Sequence, residues 1–281
     1  MKHILITGAD SYIGTSFAAY LQEGYPEEYA VTTLDVLDGS WRTVSFAGYD
    51  VVLHLAGLVH QKETPEKEKA YYSVNCDLAV ETAKKAKAEG VGQFIFLSSM
   101  SVYGVETGVI TPETRPAPVS FYGRSKWQAE QKLRELEDTA FVLTVLRPPM
   151  VYGKGCKGNF QTLRRLVERL PFFPRLHNAR SMLYIDHLCA FLRHCVDGRL
   201  SGVYFPQNRE YVDTCTLAAE LAHKLGKPLY FSVLAGWGVR GLRLFLPLAK
   251  KAFGTLVYQD TEVFDFAYCT VDTEESIRRS L

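Results

Sequence analysis

Five short apolar runs recur through the first half of the chain: HILIT (3–7), AVTTL (30–34), DVVLHLA (50–56), QFIFLS (93–98) and FVLTVL (141–146). Each is apolar almost throughout instead of alternating with polar residues, so each reads as a strand buried on both faces. Between them lie segments dense in Ala, Glu, Lys and Gln, at 12–23, 66–89 and 122–138, which favour helix. Buried strands alternating with amphipathic helices point to an α/β fold with a parallel sheet covered on both faces. Right-handed crossovers then give a doubly wound sheet, with ligands at the carboxyl ends of its strands. The stretch 36–49 is short for a full crossover, which predicts a reduced element there.

After about Tyr152 the regularity weakens. Helical patterns at 158–169, 186–197, 214–225 and 238–253 are interleaved with short extended pieces such as GVYFP (202–206). The expected organisation is a first domain over 1–152 and a smaller C-terminal α/β lobe over 153–281, with some later elements returning to the first. At 281 residues the chain has room for both. The formal charge is +1, from 32 basic and 31 acidic residues, which gives no global attraction to nucleic acid. Six scattered cysteines form no C-x-x-C pair and no metal-spaced cluster, as expected of reduced cytoplasmic thiols with no metal site. The chain opens on a strand pattern, so no leader is expected. In the apolar segment 229–253, Arg240, Arg243, Lys250 and Lys251 interrupt any run long enough to span a membrane. A helix packed over a cleft is the preferred reading there, and an interfacial helix the alternative.

TGADSYIG (7–14) joins the first strand to the first helix, the context a dinucleotide-binding loop requires. Gly8 suits the tight turn, and Gly14 suits close packing of helix on strand. Ser11 stands where a glycine is usual; it is small, and its hydroxyl could donate to a phosphate. The helix start at Ser11, Tyr12 and Ile13 would offer N–H groups to a pyrophosphate. Asp35 closes the second strand about 20 residues further on, where a carboxylate accepts from ribose hydroxyls. This favours NAD over NADP, although Arg42 leaves NADP open.

Two further stretches carry chemistry, FLSSMSVYG (96–104) and SFYGRSK (120–126). Tyr122 and Lys126 stand four residues apart at a helix start, on one face. An ammonium beside a phenol is expected to lower its pKa towards the range useful for proton transfer. Ser98 and Ser99 end a strand upstream and supply a hydroxyl to orient a substrate oxygen.

Taken together with DVVLHLAG (50–57), VNCDLAVETAKKA (74–86), RPPMVYGKG (147–155) and RSMLYIDHL (180–188), these motifs resemble the extended short-chain dehydrogenases/reductases of the nucleotide-sugar epimerase type. The resemblance covers nearly the whole chain and implies a Rossmann-like first domain. It implies Ser99 as the catalytic hydroxyl, Tyr122 as acid/base and Lys126 as the residue that holds the nicotinamide ribose. Leu55, Ala56 and Gly57 would pass the adenylate, Asn75 would support the active-site backbone, and Pro148 would lie near the nicotinamide. Asn159 and Arg180 would hold the diphosphate of a UDP-linked sugar, with His60 reaching the sugar or phosphate. A homodimer through the helices at 66–89 and 122–138 is also implied.

The family's reactions separate on a few residues. Ser99 is followed by Met100 and Ser101, not by the Asp-Glu pair of the dehydratases, and no Cys follows it as in the GDP-fucose synthases. The expectation is a C4 epimerase with bound NAD. A reductase of a UDP-4-keto sugar in polysaccharide synthesis is the alternative, and a non-catalytic dinucleotide-binding scaffold is the third. Residues 205–258 match the epimerases least, and the closing RRSL lacks their usual Leu-Gly-Trp motif.

Overall fold

The computed structural model describes residues 1–59, 61, 63–236, 238–239, 253–259 and 264–280. By its internal packing the chain divides into two compact units: 1–104, 116–148 and 188–206 form the first, and 105–115, 149–187 and 207–281 form the second.

The first unit contains β1 (Lys2–Thr7), α1 (Tyr12–Gly24), β2 (Tyr29–Leu34), β3 (Val51–His54), α2 (Glu68–Tyr72) and α3 (Leu78–Ala88). It continues with β4 (Gln93–Leu97), α4 (Phe121–Arg134), β6 (Val142–Leu146), part of α6 (Ile185–Gly198) and β10 (Gly202–Tyr204). Its sheet is six-stranded and runs β10-β6-β4-β3-β1-β2. Every pairing is parallel. The order reverses between β1 and β3 in chain sense, the switch point at which such sheets bind ligands. Ile4, Val52, Phe94, Phe96 and Val145 are fully or almost fully buried, as strands covered on both faces require.

The short crossover at 36–49 is filled by a single 3₁₀ turn, Ser40–Thr43, whose Trp41 packs with Phe46 at the edge of the core. The helix expected over 66–89 is not uniform. A π turn, Ser73–Asp77, separates α2 from α3 and buries Asn75. GVYFP, read from sequence as an extended piece of the later half, supplies β10, the edge strand beside β6.

The second unit holds β5 (Gly108–Ile110), β7 (Met150–Tyr152), α5 (Asn159–Arg169), β8 (Phe172–Pro174), β9 (Met182–Tyr184), α7 (Thr214–Lys224), β11 (Tyr230–Ser232) and β12 (Leu256–Tyr258). Three parallel pairs, β7–β9, β11–β8 and β12–β5, replace a continuous sheet. Its core includes a buried polar chain. The Asn208 amide donates to the Tyr152 hydroxyl at 2.9 Å, and Asn208 Oδ1 lies 2.9 Å from His187 Nδ1. The Val271 N–H donates to His187 Nε2, so Nδ1 carries the imidazole proton and donates to Asn208. Tyr184 and His187 of the RSMLYIDHL stretch therefore serve this core. Among the described residues no helix is long and apolar enough to cross a membrane. Residues 240–252 of the basic-apolar segment lie outside the described residues.

Candidate active site

Gly8 sits at φ +94°, and a Cβ there would lie 2.8 Å from the Ala56 nitrogen. Both facts demand glycine: the backbone is left-handed, and the neighbouring strand is too close for any side chain. Ser11 is the N-cap of α1, and its hydroxyl accepts from the Gly14 N–H at 3.1 Å. A Cβ on Gly14 would fall 2.6 Å from that hydroxyl and 3.2 Å from Leu55 Cδ1. Ser11 thus closes the first turn of the helix from inside, and its own proton remains available to a ligand. Asp35, exposed past the end of β2, accepts from the Leu37 N–H at 2.9 Å. The Arg42 guanidinium pairs with Glu81, its Nη2 lying 2.6 Å from Oε2, and sits 5.0 Å from the centroid of the Trp41 ring.

Lys126 lies on α4 and is almost fully buried. Its ammonium donates to the Leu97 carbonyl at 2.8 Å and sits 4.6 Å from the centroid of the Phe96 ring. A Cβ on Gly57 would meet Asn75 Oδ1 at 3.0 Å and Lys126 Nζ at 3.5 Å, so the absence of a side chain leaves a small cradle beside the ammonium. Asn75, presented by the π turn, holds that strand end in place. It accepts from the Leu58 N–H at 2.7 Å, donates to the Leu58 carbonyl at 3.2 Å, and donates to Ser125 Oγ at 3.1 Å. Single π turns of this kind recur where a helix must aim one side chain at a site.

Ser99 is extended at the end of β4 and caps a 3₁₀ turn, Met100–Tyr103, its Oγ accepting from the Ser101 N–H at 3.1 Å. The Met100 N–H donates to the Pro148 carbonyl at 3.0 Å, which ties the serine turn to the residue after β6. α4 packs against this turn through its own backbone. A Cβ on Gly123 would lie 2.5 Å from the Ser101 carbonyl oxygen. Gly123→Ala is therefore expected to force the two apart, at a cost of about 1–3 kcal/mol, read as a lowered melting temperature. An unchanged melting temperature would show that this contact yields.

Tyr122 is half-buried beside Ser99. Burial pushes its phenol up to about 12; the Ser99 hydroxyl draws it down and Tyr71 adds to the rise. The spacing with Lys126 had suggested a lowered value. Desolvation is the largest influence on the phenol here, and the Lys126 ammonium is engaged with the Leu97 carbonyl. Burial pulls Lys126 itself down to about 8, with Glu130 opposing.

Glu63, Glu130 and Arg147, which sequence reasoning passed over, complete the neighbourhood. Glu63 straddles the start of α4, accepting from the Phe121 and Tyr122 N–H groups at 3.0 Å each. With the Ser120 hydroxyl accepting from Gly123 N–H, the first-turn donors of α4 are satisfied and faced by a carboxylate. Glu130 and Arg147 form a buried ion pair, with Arg147 Nη2 2.6 Å from Oε2. Ser98 Oγ donates to the same carboxylate at 2.5 Å. Arg147 opens RPPMVYGKG, whereas Glu130 lies one turn beyond Lys126, past the end of SFYGRSK.

The first unit thus brings together Gly8, Ser11, Gly14, Leu55, Ala56, Gly57, Asn75, Ser99, Tyr122, Lys126 and Pro148 at or beyond the strand ends. The residues present fit a dinucleotide: a left-handed glycine, a capped helix start, an exposed carboxylate after β2, and the cradle beside Lys126. In the second unit Arg180 is bonded into its own sheet edge, its N–H to the Val212 carbonyl and its guanidinium to the Gly254 carbonyl at 2.9 Å. Burial draws its pKa down. Asn159 opens α5. His60 lies outside the described residues.

Residues 4–193 match the model of the NAD dependent epimerase/dehydratase family. A UDP-glucose 4-epimerase of Vibrio cholerae is 33% identical over 254 residues, 82% of this chain and 77% of that protein. The N-acetyl-alpha-D-glucosaminyl-diphospho-ditrans,octacis-undecaprenol 4-epimerase of Escherichia coli O157:H7 is 27% identical over 248 residues, 81% of this chain and 73% of that one. The fold is that of the UDP-glucuronic acid 4-epimerase from Bacillus cereus in complex with NAD, with a TM-score of 0.77 at 18% identity, over 99% of this chain and 95% of that one. The chain therefore belongs to the NAD-dependent epimerase/dehydratase family, among the nucleotide-sugar enzymes of the extended short-chain dehydrogenases/reductases.

Proposed function

We propose that this protein is a C4 epimerase of sugars carried on a diphosphate, with a UDP-sugar as substrate and NAD as its resident cofactor. The observation that carries the reading is the Ser99 hydroxyl beside Tyr122, with the buried Lys126 ammonium one turn along α4 facing the cradle at Gly57. NAD supplies the hydride acceptor and donor for the sugar carbon. Gly8, Ser11, Tyr12, Ile13 and Gly14 would hold its pyrophosphate at the start of α1, with the Ser11 hydroxyl donating to it. Asp35 would accept from the adenine ribose, and Leu55, Ala56, Gly57 and Pro148 would line the path of the cofactor with Asn75 fixing the backbone. The engagement of Arg42 with Glu81 supports NAD over NADP, because this cation is already committed.

In this reading Tyr122 takes the proton of the sugar hydroxyl and returns it, Ser99 orients that oxygen, and Lys126 supplies the charge that makes the proton exchange feasible. His60, Asn159 and Arg180 would bind the sugar and its diphosphate. Residues 1–152, with later elements returning, would hold the cofactor, and the remainder the substrate. The two curated relatives support the substrate class, since both are named as 4-epimerases of glucosyl or N-acetylglucosaminyl diphosphate compounds. We place the enzyme in the cytoplasm as a homodimer.

The test is to incubate the purified holoprotein with UDP-glucose and UDP-N-acetylglucosamine. Sugar composition and the absorbance of reduced nicotinamide are followed together. Interconversion of C4 epimers without net cofactor use is expected. Consumption of NAD(P)H in proportion to a 4-keto sugar would replace the epimerase by a reductase. Bound cofactor without turnover of any sugar nucleotide would leave a scaffold.

A further inference from the structure

A buried polar network joins α4 to the ends of β4 and β6. Glu130 is completely buried and Arg147 nearly so. Arg147 grips the carboxylate with two nitrogens, Nη2 at 2.6 Å from Oε2 and Nε at 3.1 and 3.2 Å from the two oxygens, while Nη1 donates to the Tyr103 hydroxyl at 2.8 Å. The Tyr103, Trp127 and Phe205 rings surround the guanidinium, with centroids at 5.2, 5.3 and 5.8 Å. Ser98 closes the other side of the carboxylate.

The membership of this network is the informative part. Ser98 is the chain neighbour of Ser99, Glu130 lies one helical turn after Lys126, and Arg147 is the chain neighbour of Pro148. Three separate elements, the ends of β4 and β6 and the middle of α4, are bolted to one carboxylate. Backbone bonds repeat the arrangement, from the Ser98 N–H to the Leu146 carbonyl at 2.7 Å and from the Met100 N–H to the Pro148 carbonyl at 3.0 Å. Buried ion pairs gain little stability over well-packed apolar residues, so stability alone gives a weak reason to place one here.

We propose that Glu130, gripped by Arg147 and Ser98, is a positioning residue that acts on the reaction through Lys126 and Ser99, holding the first as a cation and the second in line with Tyr122. The proposal rests on the reading of Lys126 and Ser99 as working residues. Among the described residues, the groups facing Lys126 are Glu130 on its own helix, His54 on β3, the Phe96 ring on β4 and the Leu97 carbonyl, with Asn75 across the cradle at Gly57. His54 is held uncharged by burial, which pulls it down to about 3. Glu130 is thus the anion named among them, and it opposes the loss of the ammonium charge that burial favours.

If the cationic Lys126 is the working form, activity falls as pH rises through its pKa. Removing the carboxylate lowers that pKa, so the alkaline limb moves to lower pH. The experiment compares the NAD-loaded wild type with Glu130→Gln and with Glu130→Gln/Arg147→Met, which leaves no unpaired buried charge. Kcat and KM for the UDP-sugar are measured from pH 6 to 10. In Glu130→Gln the alkaline limb is expected to move down by about one pH unit, with kcat at pH 9 reduced about tenfold and KM within about twofold. The double variant is expected to move in the same direction. A limb superimposed on the wild type in a variant that retains its melting temperature overturns the proposal.

Should neither Glu130 variant fold, Ser98→Ala loosens the same carboxylate from the other side. It is expected to lower kcat about fivefold with KM held, through loss of a charge-assisted hydrogen bond; kcat equal to wild type overturns the proposal. Lys126→Met in parallel separates the two readings. If that variant turns over like the wild type, the catalytic assignment itself has failed. If it is inactive while Glu130→Gln keeps the wild-type pH profile, the positioning role alone has failed.

Discussion

Replacing Tyr122 by phenylalanine is expected to cut turnover of the UDP-sugar by about 10²–10⁴-fold while NAD stays bound. The change deletes one hydroxyl from a half-buried ring at the start of α4, and the ring itself fills the same space. The backbone around it is held independently, by Glu63 on the Phe121 and Tyr122 N–H groups and by Ser120 on Gly123. The loss therefore falls on proton transfer and not on the fold. With its phenol pushed up to about 12, Tyr122 carries its proton at neutral pH in this structure, and it must give that proton up before it can take the one from the sugar hydroxyl. Positive charge close to the ring is what would let it act as a base, and Lys126 is the cation on the next turn of the same helix. Turnover is measured by sugar composition, and retained cofactor by the nicotinamide absorbance of the desalted protein. A variant within twofold of the wild type would remove Tyr122 from the mechanism.

The second large effect is on stability and is carried by His54. It ends β3, completely buried, with its ring stacked on Phe94 and Phe96 at 5.7 and 6.2 Å. Nδ1 lies 2.8 Å from the Thr7 hydroxyl, while among the described residues Nε2 has no partner. Burial, reinforced by the Lys126 charge, lowers its pKa from 6.5 to about 3. A folded-state pKa below the unfolded one means that the unfolded chain takes up the proton first. The contribution is complete above pH 6.5 and drains away as pH falls, reaching roughly 5 kcal/mol by about pH 3. Between pH 7 and pH 5 the loss attributable to this residue is roughly 2 kcal/mol. Urea unfolding of the wild type and His54→Leu at those two pH values isolates it. The Thr7 hydroxyl loses its partner in the variant, at a cost of about 1 kcal/mol, but equally at both pH values. Equal pH-dependent losses in the two proteins would mean that His54 is charged or solvated in the fold.

His54 also marks where sequence reading stops. Its place in the apolar run DVVLHLA made it a strand residue, and so it is. Nothing in the local pattern tells a buried, uncharged imidazole from one turned towards a ligand, because that depends on Phe94 and Phe96 in the neighbouring strand. The same division runs through the site. Gly8, Ser11 and Gly14 were legible because a turn and a helix cap are built from residues a few positions apart. Tyr122 and Lys126 were legible because helical spacing alone puts them on one face. Glu63 was silent, since its carboxylate finds α4 across a long stretch of chain. The Glu130–Arg147 pair was silent for the same reason, although Arg147 lay inside a recognisable motif and Glu130 just past one. The expectation of a lowered Tyr122 pKa failed on this point as well. Spacing reports the nearby cation, but burial is a property of the assembled structure. In the second unit, short strand pairs in place of a continuous sheet leave weaker periodic signals, and there the sequence reading was coarsest.

The late arrival of β10 has a consequence for how the chain is made. β6 ends at Leu146, yet the strand that covers its free edge begins at Gly202, with residues 147–201 synthesised in between. On the ribosome, the nascent sheet must wait with an open, apolar edge while that stretch emerges. An unpaired edge of this kind invites pairing with another chain. Synthesis halted between Leu146 and Gly202 would release a polypeptide with most of the site in place but one strand short, and such fragments should be recovered as aggregates or chaperone-bound species.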